Sequence, residues 1–481
     1  MNSTIDIVWL QDDLRIADNP LLHFASPPCY LLCLYVLDEQ WFSPLFDGES
    51  TPRIGPARLR FLWQSLMELR GELLRRGSDL LVRIGKPSEV VIELASTLNA
   101  RQVRVADHAG FEESSHIQAV EEGLPSQTAL DCIESGRLID RQSLPFEREA
   151  LPASFSSFRR SVEGECTVPV SRCAPVTLPP WPDAARGFPP LKAVCEQSAT
   201  WHPDPRQGYA YKGGESAAHG RLKDYLWRQQ GGETYKKTRN GLLGANFSTR
   251  VSPWLARGCL SARQVNDAVK EWEAENGSNE SSYWITFELL WREYFIRAAQ
   301  LEGEKMFGTR QTGKPCAVFD AWRNGNTGLP FVDAAMLELR YTGWLSNRAR
   351  QNVASFLVKD LKVDWRLGAL WFEHCLIDYD VASNWGNWRY IAGVGHDPRQ
   401  DRYFNVLKQA GHYDPQGLYV AHWLKPLQKL PYGLARHQPW RVDPSAFEAP
   451  CVEPEQWERW LIPRCELGSL AESPDVANAI K

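Results

Sequence analysis

No run of about eighteen apolar residues occurs in the chain. The N-terminus, MNSTIDIVWLQDDLRIADN, has no basic segment followed by an apolar stretch and a small-residue cleavage site. Neither a membrane span nor a secretory leader is expected, and the chain is read as cytoplasmic. No Cys-x-x-Cys pair occurs among the 11 cysteines, so neither a disulfide framework nor a metal centre is expected; reduced, largely buried thiols are. No G-x-G-x-x-G follows a strand-like run, which argues against a dinucleotide on the N-terminal part. No internal repeat or low-complexity run is present. The one phosphate-loop spacing, GTRQTGKP at 308–315, has Pro315 where a Ser or Thr would hold Mg²⁺ and is set aside.

What remains is an ordinary globular composition, 481 residues with 43% hydrophobic and 23% charged, long enough for two or three domains. The net charge of −5 conceals a division: residues 201–440 hold 31 Lys and Arg against 24 Asp and Glu, and 14 of the 20 tryptophans. A mildly basic, aromatic-rich half suits stacking on planar ligands or nucleic-acid bases, although a solvated face has the same balance.

Two periods alternate over the first 130 residues. Apolar runs at 5–10, 30–38, 80–85, 102–107 and 128–132 read as strands, and the stretches at 56–76, 88–98 and 111–122 have helical spacing. Strands alternating with helices imply a doubly wound parallel sheet, which binds ligands at the carboxyl ends of its strands. Residues 133–205, with the prolines of CAPVTLPPWPDAARGFPP, read as a connecting segment without long regular elements. From about 206 to 440 the period is helical and strand signals nearly vanish. The fold class is therefore α/β plus all-α: a sheet domain over 1–132, a connector over 133–205, a helical domain over 206–440, and a surface tail over 441–481.

Four stretches of the helical part carry the chemistry. In NFSTRVSPWLARGCLS (246–261), Ser252 before Pro253 reads as N-cap and first helical residue. The positive helix end then faces Ser248, Thr249 and Arg250, whose hydroxyls and guanidinium suit a pyrophosphate. An ordinary capped helix with a surface arginine reads the same residues equally well. In YWITFELLWREYFIRAAQ (283–300), Trp284, Glu288, Trp291 and Phe295 share a face, with Glu288 to Arg292 and Glu293 to Arg297 as i,i+4 pairs. A carboxylate between tryptophans either reads a polar planar ligand or is satisfied by a neighbouring arginine in a core stripe. In GWLSNRARQNVASFLVKDLKVDWR (343–366), Ser346 caps a helix that presents Asn347, Arg350 and Gln351 above an apolar face. In DYDVASNWGNWRY (378–390), Asp378 is a natural partner for Arg350, and Asp380 and Asn384 can present a carboxylate and an amide to one ligand. Polar groups would thus edge a large flat ring system with aromatics packed round it.

These motifs in this order, with VWLQDDLRIADNPLL at the N-terminus, resemble the photolyase/cryptochrome family over about residues 5–440, most closely its DASH cryptochromes. The resemblance implies an N-terminal antenna domain, a helical domain holding U-shaped FAD, and light-driven repair of cyclobutane pyrimidine dimers, a carbon–carbon lyase reaction. Tyr235, Ser248, Thr249, Arg250, Val251 and Ser252 match the family's contacts on the ribityl–phosphate side. Asn347, Arg350, Asp378 and Asp380 resemble the flavin-edge contacts, and Arg292 belongs with Glu288 and Trp291 to the helix between flavin and lesion. By the same resemblance Glu288 stabilises the dimer radical anion and Trp291 stacks on the lesion. Asn384 corresponds to the residue facing flavin N5, where an amide, unlike an aspartic acid, cannot readily hand over a proton. Trp388 and Trp365 match the first two members of an electron relay; the third has no tryptophan counterpart in 306–320. Gln351 and Tyr390 replace a Met and a second Trp of ordinary dimer photolyases. A pocket so altered implies a preference for single-stranded DNA, in which unstacking is already largely done. The family antenna would be 5,10-methenyltetrahydrofolate, with Glu113 in GFEESSHIQ as its acidic contact. A monomer without metal or membrane partner is expected. The alternative reading is a blue-light photoreceptor or regulator without significant repair.

Overall fold

The computed structural model describes residues 4–307, 314–395 and 403–463. Five parallel strands form one sheet: β1 (Ile5–Leu10), β2 (Tyr30–Asp38), β3 (Leu80–Gly85), β4 (Gln102–Ala106) and β5 (Ala129–Ile133), in the order β3-β2-β1-β4-β5. β1 is central, in register with β2 from Ile5↔Tyr30 to Leu10↔Tyr35 and with β4 from Asp6↔Gln102 to Trp9↔Val105. The crossovers are α1 (Pro56–Arg75), α2 (Pro87–Thr97) and α3 (Phe111–Gly123). Both faces of the sheet are covered, as its unbroken apolar strands require. Val8 and Leu10 join the cluster of α1, and the alternate residues Ile7 and Trp9 pack with Val91, Ala95 and Val120 of α2 and α3. The expected strands and helices of this domain agree with those observed to within a residue or two.

Two expected boundaries change. Residues 176–188 do more than connect: Leu31 N–H donates to Pro180 O at 2.9 Å and Val82 N–H to Gly187 O at 2.8 Å, and Trp181 is buried in the cluster on one face of the sheet. The connector also contains α4 (Phe155–Glu165), capped by Ser154. Prolines prevent long helices over 173–190 but leave extended chain free to cover apolar surface. The tail is likewise not a surface appendage through 463. Trp457 is 1% exposed, stacks with Phe356 and donates from Nε1 to Tyr403 Oη at 2.9 Å. One buried indole outweighs the polar composition around it. Residues 464–481 of the expected tail lie outside the described residues, as do 308–313 of the discounted phosphate-loop stretch.

Beyond residue 213 the body is helical, built round the long helix Glu280–Glu302, which packs against Gly231–Thr238 and Val381–Ala392. It docks on the carboxyl ends of the sheet strands: Arg257 Nη1 lies 3.0 Å from Asp12 Oδ1 after β1, and Glu293 accepts from the Leu138 amide at 2.9 Å. Among the described residues no helix is long and apolar enough to cross a membrane. Trp457→Ala is expected to lower stability by about 3–5 kcal/mol, as for other buried aromatics, measured by denaturant unfolding; a change within 0.5 kcal/mol of zero, about the scatter of surface substitutions, would show the tail to be dispensable.

Candidate functional site

A cavity of about 620 Å³ opens in the helical body, within the usual range for small-molecule and cofactor sites. An inner pocket of about 90 Å³ shares Asn347, Arg350, Gln351, Asp378 and Asp380 with it, so the two are continuous. Its floor is an ion pair. Arg350 donates from Nη2 to both Asp378 oxygens, at 3.0 and 2.7 Å, and from Nε to Leu345 O at 2.8 Å. Arg350 reaches Asp378 from the helix Asn347–Ser355, whose N-cap Ser346 accepts from the Ala349 amide as expected.

Ser252 departs from its expected role. The N-cap of the helix Ser252–Ala256 is Val251, and the Ser252 hydroxyl instead donates to Asp378 Oδ2 at 2.7 Å. A hydroxyl that donates to a carboxylate makes a charge-assisted hydrogen bond, stronger than the neutral one in which an N-cap accepts from a backbone amide. Arg250 also differs. Its backbone is left-handed, with φ 56°, and its buried guanidinium donates to Gly244 O at 2.6 Å while lying 3.8 Å from the Trp344 ring centroid. Arg250 thus contributes to the wall through backbone and aromatic stacking, rather than aiming its charge outward with Ser248 and Thr249. Ser248, Thr249, Val251 and Tyr235 all line the cavity. The sequence reading missed the brace beneath them: Arg221 donates to the carbonyls of Ala245, Ser248 and Thr249 at 2.8–3.0 Å. Its only sequence signal is an arginine on an otherwise ordinary helix.

Glu288 and Trp291 line the same cavity from the long helix. The expected Glu288–Arg292 pair does not form. The Glu288 carboxylate pairs with Arg239, which also lies over the Trp284 ring. Arg292 donates to Gly136 O at 3.0 Å and approaches Asp380 Oδ2 at 3.6 Å. Arg292 points to the domain seam because a carbonyl and a carboxylate converge there, whereas Arg239 enters from a neighbouring helix. Glu293 and Arg297 pair at 2.7 Å, as expected. Trp291 stacks on Phe155 of the connector at 3.7 Å and meets Tyr390 edge to face at 6.1 Å. Gln351 accepts from Arg348 at 2.7 Å, and Arg348 also donates to Asn240 at 2.9 Å. Arg239 and Arg348, both missed from sequence, make this part of the wall basic.

Asp380 caps the helix Val381–Ala392 through the Ser383 amide at 2.7 Å. One turn on, Asn384 is 8% exposed, lines the inner pocket and donates to Ala369 O at 3.1 Å. Trp388 lies in the same pocket against Phe372 at 5.1 Å and Trp322 at 6.2 Å. Gly368 makes room for it: a Cβ there would stand 2.2 Å from the indole. Trp365, half-buried, meets Trp385 edge to face at 5.5 Å. The segment in which a third relay member was sought lies partly outside the described residues; Trp322, two residues beyond it, is the buried indole that the structure adds.

A second cleft, of about 760 Å³, lies between α3 and the long helix and includes Phe111, Phe146, Arg141, Arg148 and Arg297 in its walls. Glu113 is not in that wall; its carboxylate turns to His108 Nδ1 at 3.7 Å.

A parallel-sheet domain seated on a helical body with a wide, polar-edged aromatic cavity is the architecture of a photolyase-type flavoprotein. The description "DNA photolyase" matches residues 6–180, and "FAD binding domain of DNA photolyase" matches residues 284–463. The cryptochrome DASH of Gloeobacter violaceus is 43% identical over 455 residues, 92% of this chain and 90% of that protein. The chloroplastic/mitochondrial cryptochrome DASH of Arabidopsis thaliana is 42% identical, over 91% of this chain and 78% of that protein. The crystal structure of the Synechocystis cryptochrome superposes with a TM-score of 0.87 at 37% identity, over 98% of this chain and all of that one. A class III photolyase from Agrobacterium tumefaciens, at 24% identity and a TM-score of 0.77, shares the fold. The chain belongs to the photolyase/cryptochrome family, most closely to its DASH cryptochromes.

Because Asp378 is buried, removing Arg350 alone should be costly. Arg350→Ala is expected to destabilise by about 3–5 kcal/mol, and the double replacement with Asp378→Ala to recover part of that loss. Strict additivity in unfolding experiments would show that the pair carries no coupling.

Proposed function

We propose that the chain is a light-driven lyase that splits cyclobutane pyrimidine dimers, preferring single-stranded DNA. The observation that carries this reading is a single cavity with a polar-edged floor at Arg350 and Asp378 and an aromatic wall at Trp291 and Tyr390 that also holds Glu288. Its volume, its aromatic walls and its donors along one edge fit a flavin with its ribityl–diphosphate arm. Bound there, FAD supplies the light-driven electron transfer; the protein supplies binding, orientation and exclusion of competing acceptors.

Ser248, Thr249 and the backbone at Arg250, Val251 and Ser252 hold the diphosphate side, on the loop braced by Arg221, with Tyr235 nearby. Asn347, Arg350, Asp378 and Asp380 hold the ring edge, and Arg292 steadies Asp380. Asn384 presents a neutral amide, which has no proton to release near neutral pH. Glu288, protonated once it leaves Arg239, donates to a carbonyl of the dimer, and Trp291 and Tyr390 bracket the flipped bases. Trp388 and Trp365 pass electrons inward, with the buried Trp322 as a further neighbour of Trp388. Arg239 and Arg348 meet the phosphodiester backbone. Tyr390 offers less stacking area than a tryptophan, and Gln351 is already engaged by Arg348. Extrusion from a duplex, which costs a few kcal/mol, is therefore poorly offset. The cleft with Phe111, Phe146, Arg141, Arg148 and Arg297 suits the pterin ring and glutamate carboxylates of 5,10-methenyltetrahydrofolate. His108, which Glu113 contacts, is one of the polar groups of that cleft.

The test is repair under blue light of a thymine-dimer oligonucleotide, single-stranded and duplex in parallel, by purified protein with reduced flavin. Repair of the single strand alone is expected. Equal repair of the duplex would overturn the roles of Gln351 and Tyr390, and no repair by flavin-loaded protein would favour a photoreceptor. Glu288→Ala is expected to keep FAD while lowering the repair quantum yield about tenfold or more, the equivalent of the roughly 1.5–3 kcal/mol of one hydrogen bond to a charged group; unchanged repair would refute its contact with the dimer.

A further inference from the structure

At the seam between the domains, where the sheet's topological switch point falls between β1 and β4, lies a small cavity of about 50 Å³. The loops after β1, β4 and β5 contribute Asp13, His108, Ser135 and Arg137 to its wall, and the helical body contributes Arg292 and Asp380. Three polar atoms of the lining residues are buried without a hydrogen-bond partner: Asp13 Oδ2, Ser135 Oγ and Arg137 Nε. Asp13 is only 1% exposed. Each such atom costs about 1–3 kcal/mol if left unsatisfied. A polar void of this volume has room for a few waters, at roughly 10–15 Å³ of probe volume apiece. The three atoms belong to residues that meet at one cavity, so a small shift of their side chains would bring each within reach of water there.

The cavity also joins two larger spaces. His108 lies in its wall and in that of the outer cleft, and Asp380 and Arg292 lie in its wall and in that of the cofactor cavity. Opposed influences act on His108. Burial opposes the charged form, but the carboxylates of Glu113 and Asp12 outweigh it and raise the imidazole to about 9. The Gly110 amide donates to Nδ1 at 3.0 Å, which favours the neutral ring with its proton on Nε2, 3.3 Å from Asp12 Oδ2. An imidazole so placed can both take up and release a proton. Burial raises the Asp13 carboxyl to about 6. The charged groups facing His108 are Asp12 and Asp13 after β1, Glu113 of α3 and Arg137 after β5; those facing Asp380 are Arg292 and Arg257 of the helical body.

We propose that this cavity holds a cluster of water molecules that carries protons between His108 at the outer cleft and Asp380 at the edge of the cofactor cavity. The proton leaves the imidazolium, passes along hydrogen-bonded waters beside Asp13 and Ser135, and arrives on the Asp380 carboxylate. His108 is recharged from solvent in the cleft; only N–H and O–H bonds are exchanged and no electron moves. The cluster itself needs no cofactor, but its service to the ring edge rests on the proposed flavin site. With an amide at Asn384, Asp380 is an acidic group that the cofactor cavity shares with this void.

Two measurements test this. A high-resolution crystal structure is expected to show ordered waters within hydrogen-bond reach of Asp13 Oδ2, Ser135 Oγ and Arg137 Nε. Ser135→Val, which removes a hydroxyl and fills part of the void, should lose at least one of them. In flavin-loaded protein, proton uptake after flash reduction, followed with a pH-indicator dye, should slow about tenfold or more in Ser135→Val. It should lose the part of its pH dependence near pH 9 in His108→Gln, while the part near pH 6 that Asp13 sets remains. FAD content should stay unchanged in both variants. A dry cavity, or uptake as fast in both variants as in the parent, overturns the relay. If Ser135→Val does not fold, the parent structure and His108→Gln still decide. Protein that binds no flavin would refute the cofactor reading while the crystallographic test of the waters stands.

Discussion

The buried carboxylate of Asp378 is the constraint round which the rest of the site is arranged. A charge removed from water needs partners whose combined strength exceeds its hydration, and here two distant segments provide them: Arg350, 28 positions before it, and Ser252, 126 positions before it. Bringing these groups together fixes the helix Asn347–Ser355, the turn before Val381 and the start of the helix Ser252–Ala256 relative to one another. The cavity above that point inherits its shape from this meeting. Asp380, two residues on, is then fixed as the cap of the next helix, and Asn384 follows one turn later on the inner wall.

The sheet domain also helps to set the geometry of the site. The ends of its central strands place Asp12 against Arg257, and Arg257 donates to Tyr379 O, the residue between the two aspartates of the floor. Arg53 extends the seam by bridging Glu112 of α3 to Glu373 of the helical body, at 2.8 and 3.0 Å. Partly buried ion pairs of this kind contribute little net stability, but they penalise any wrong docking of the two domains. Domain register is thereby tied to the geometry of the cofactor edge.

Much of this was legible before any coordinates. Apolar runs separated by helical spacing gave the sheet domain almost residue for residue, because a parallel sheet covered on both faces demands unbroken apolar strands. The Asp378–Arg350 pairing was legible too, since two charges on otherwise apolar faces have few other ways to be buried. Partners chosen by competition were not. Ser252 gives its hydroxyl to the Asp378 carboxylate in place of capping its helix, Glu288 takes Arg239 in place of the residue one turn along its own helix, and Glu113 turns to His108. Pairing within one helix holds at Glu293 and Arg297 but yields at Glu288, where an arginine from another element is in reach.

The sequence by itself determined the class of fold, the order of the motifs and the chemical types at the cavity edge, because periodicity and local capping act over a few residues at a time. Only the tertiary structure decided which arginine meets which carboxylate, that Trp457 belongs to the core, and that three loop ends enclose a polar void at the seam. Those outcomes depend on the relative free energies of groups far apart in the chain, and they exist only once the two domains have been brought together.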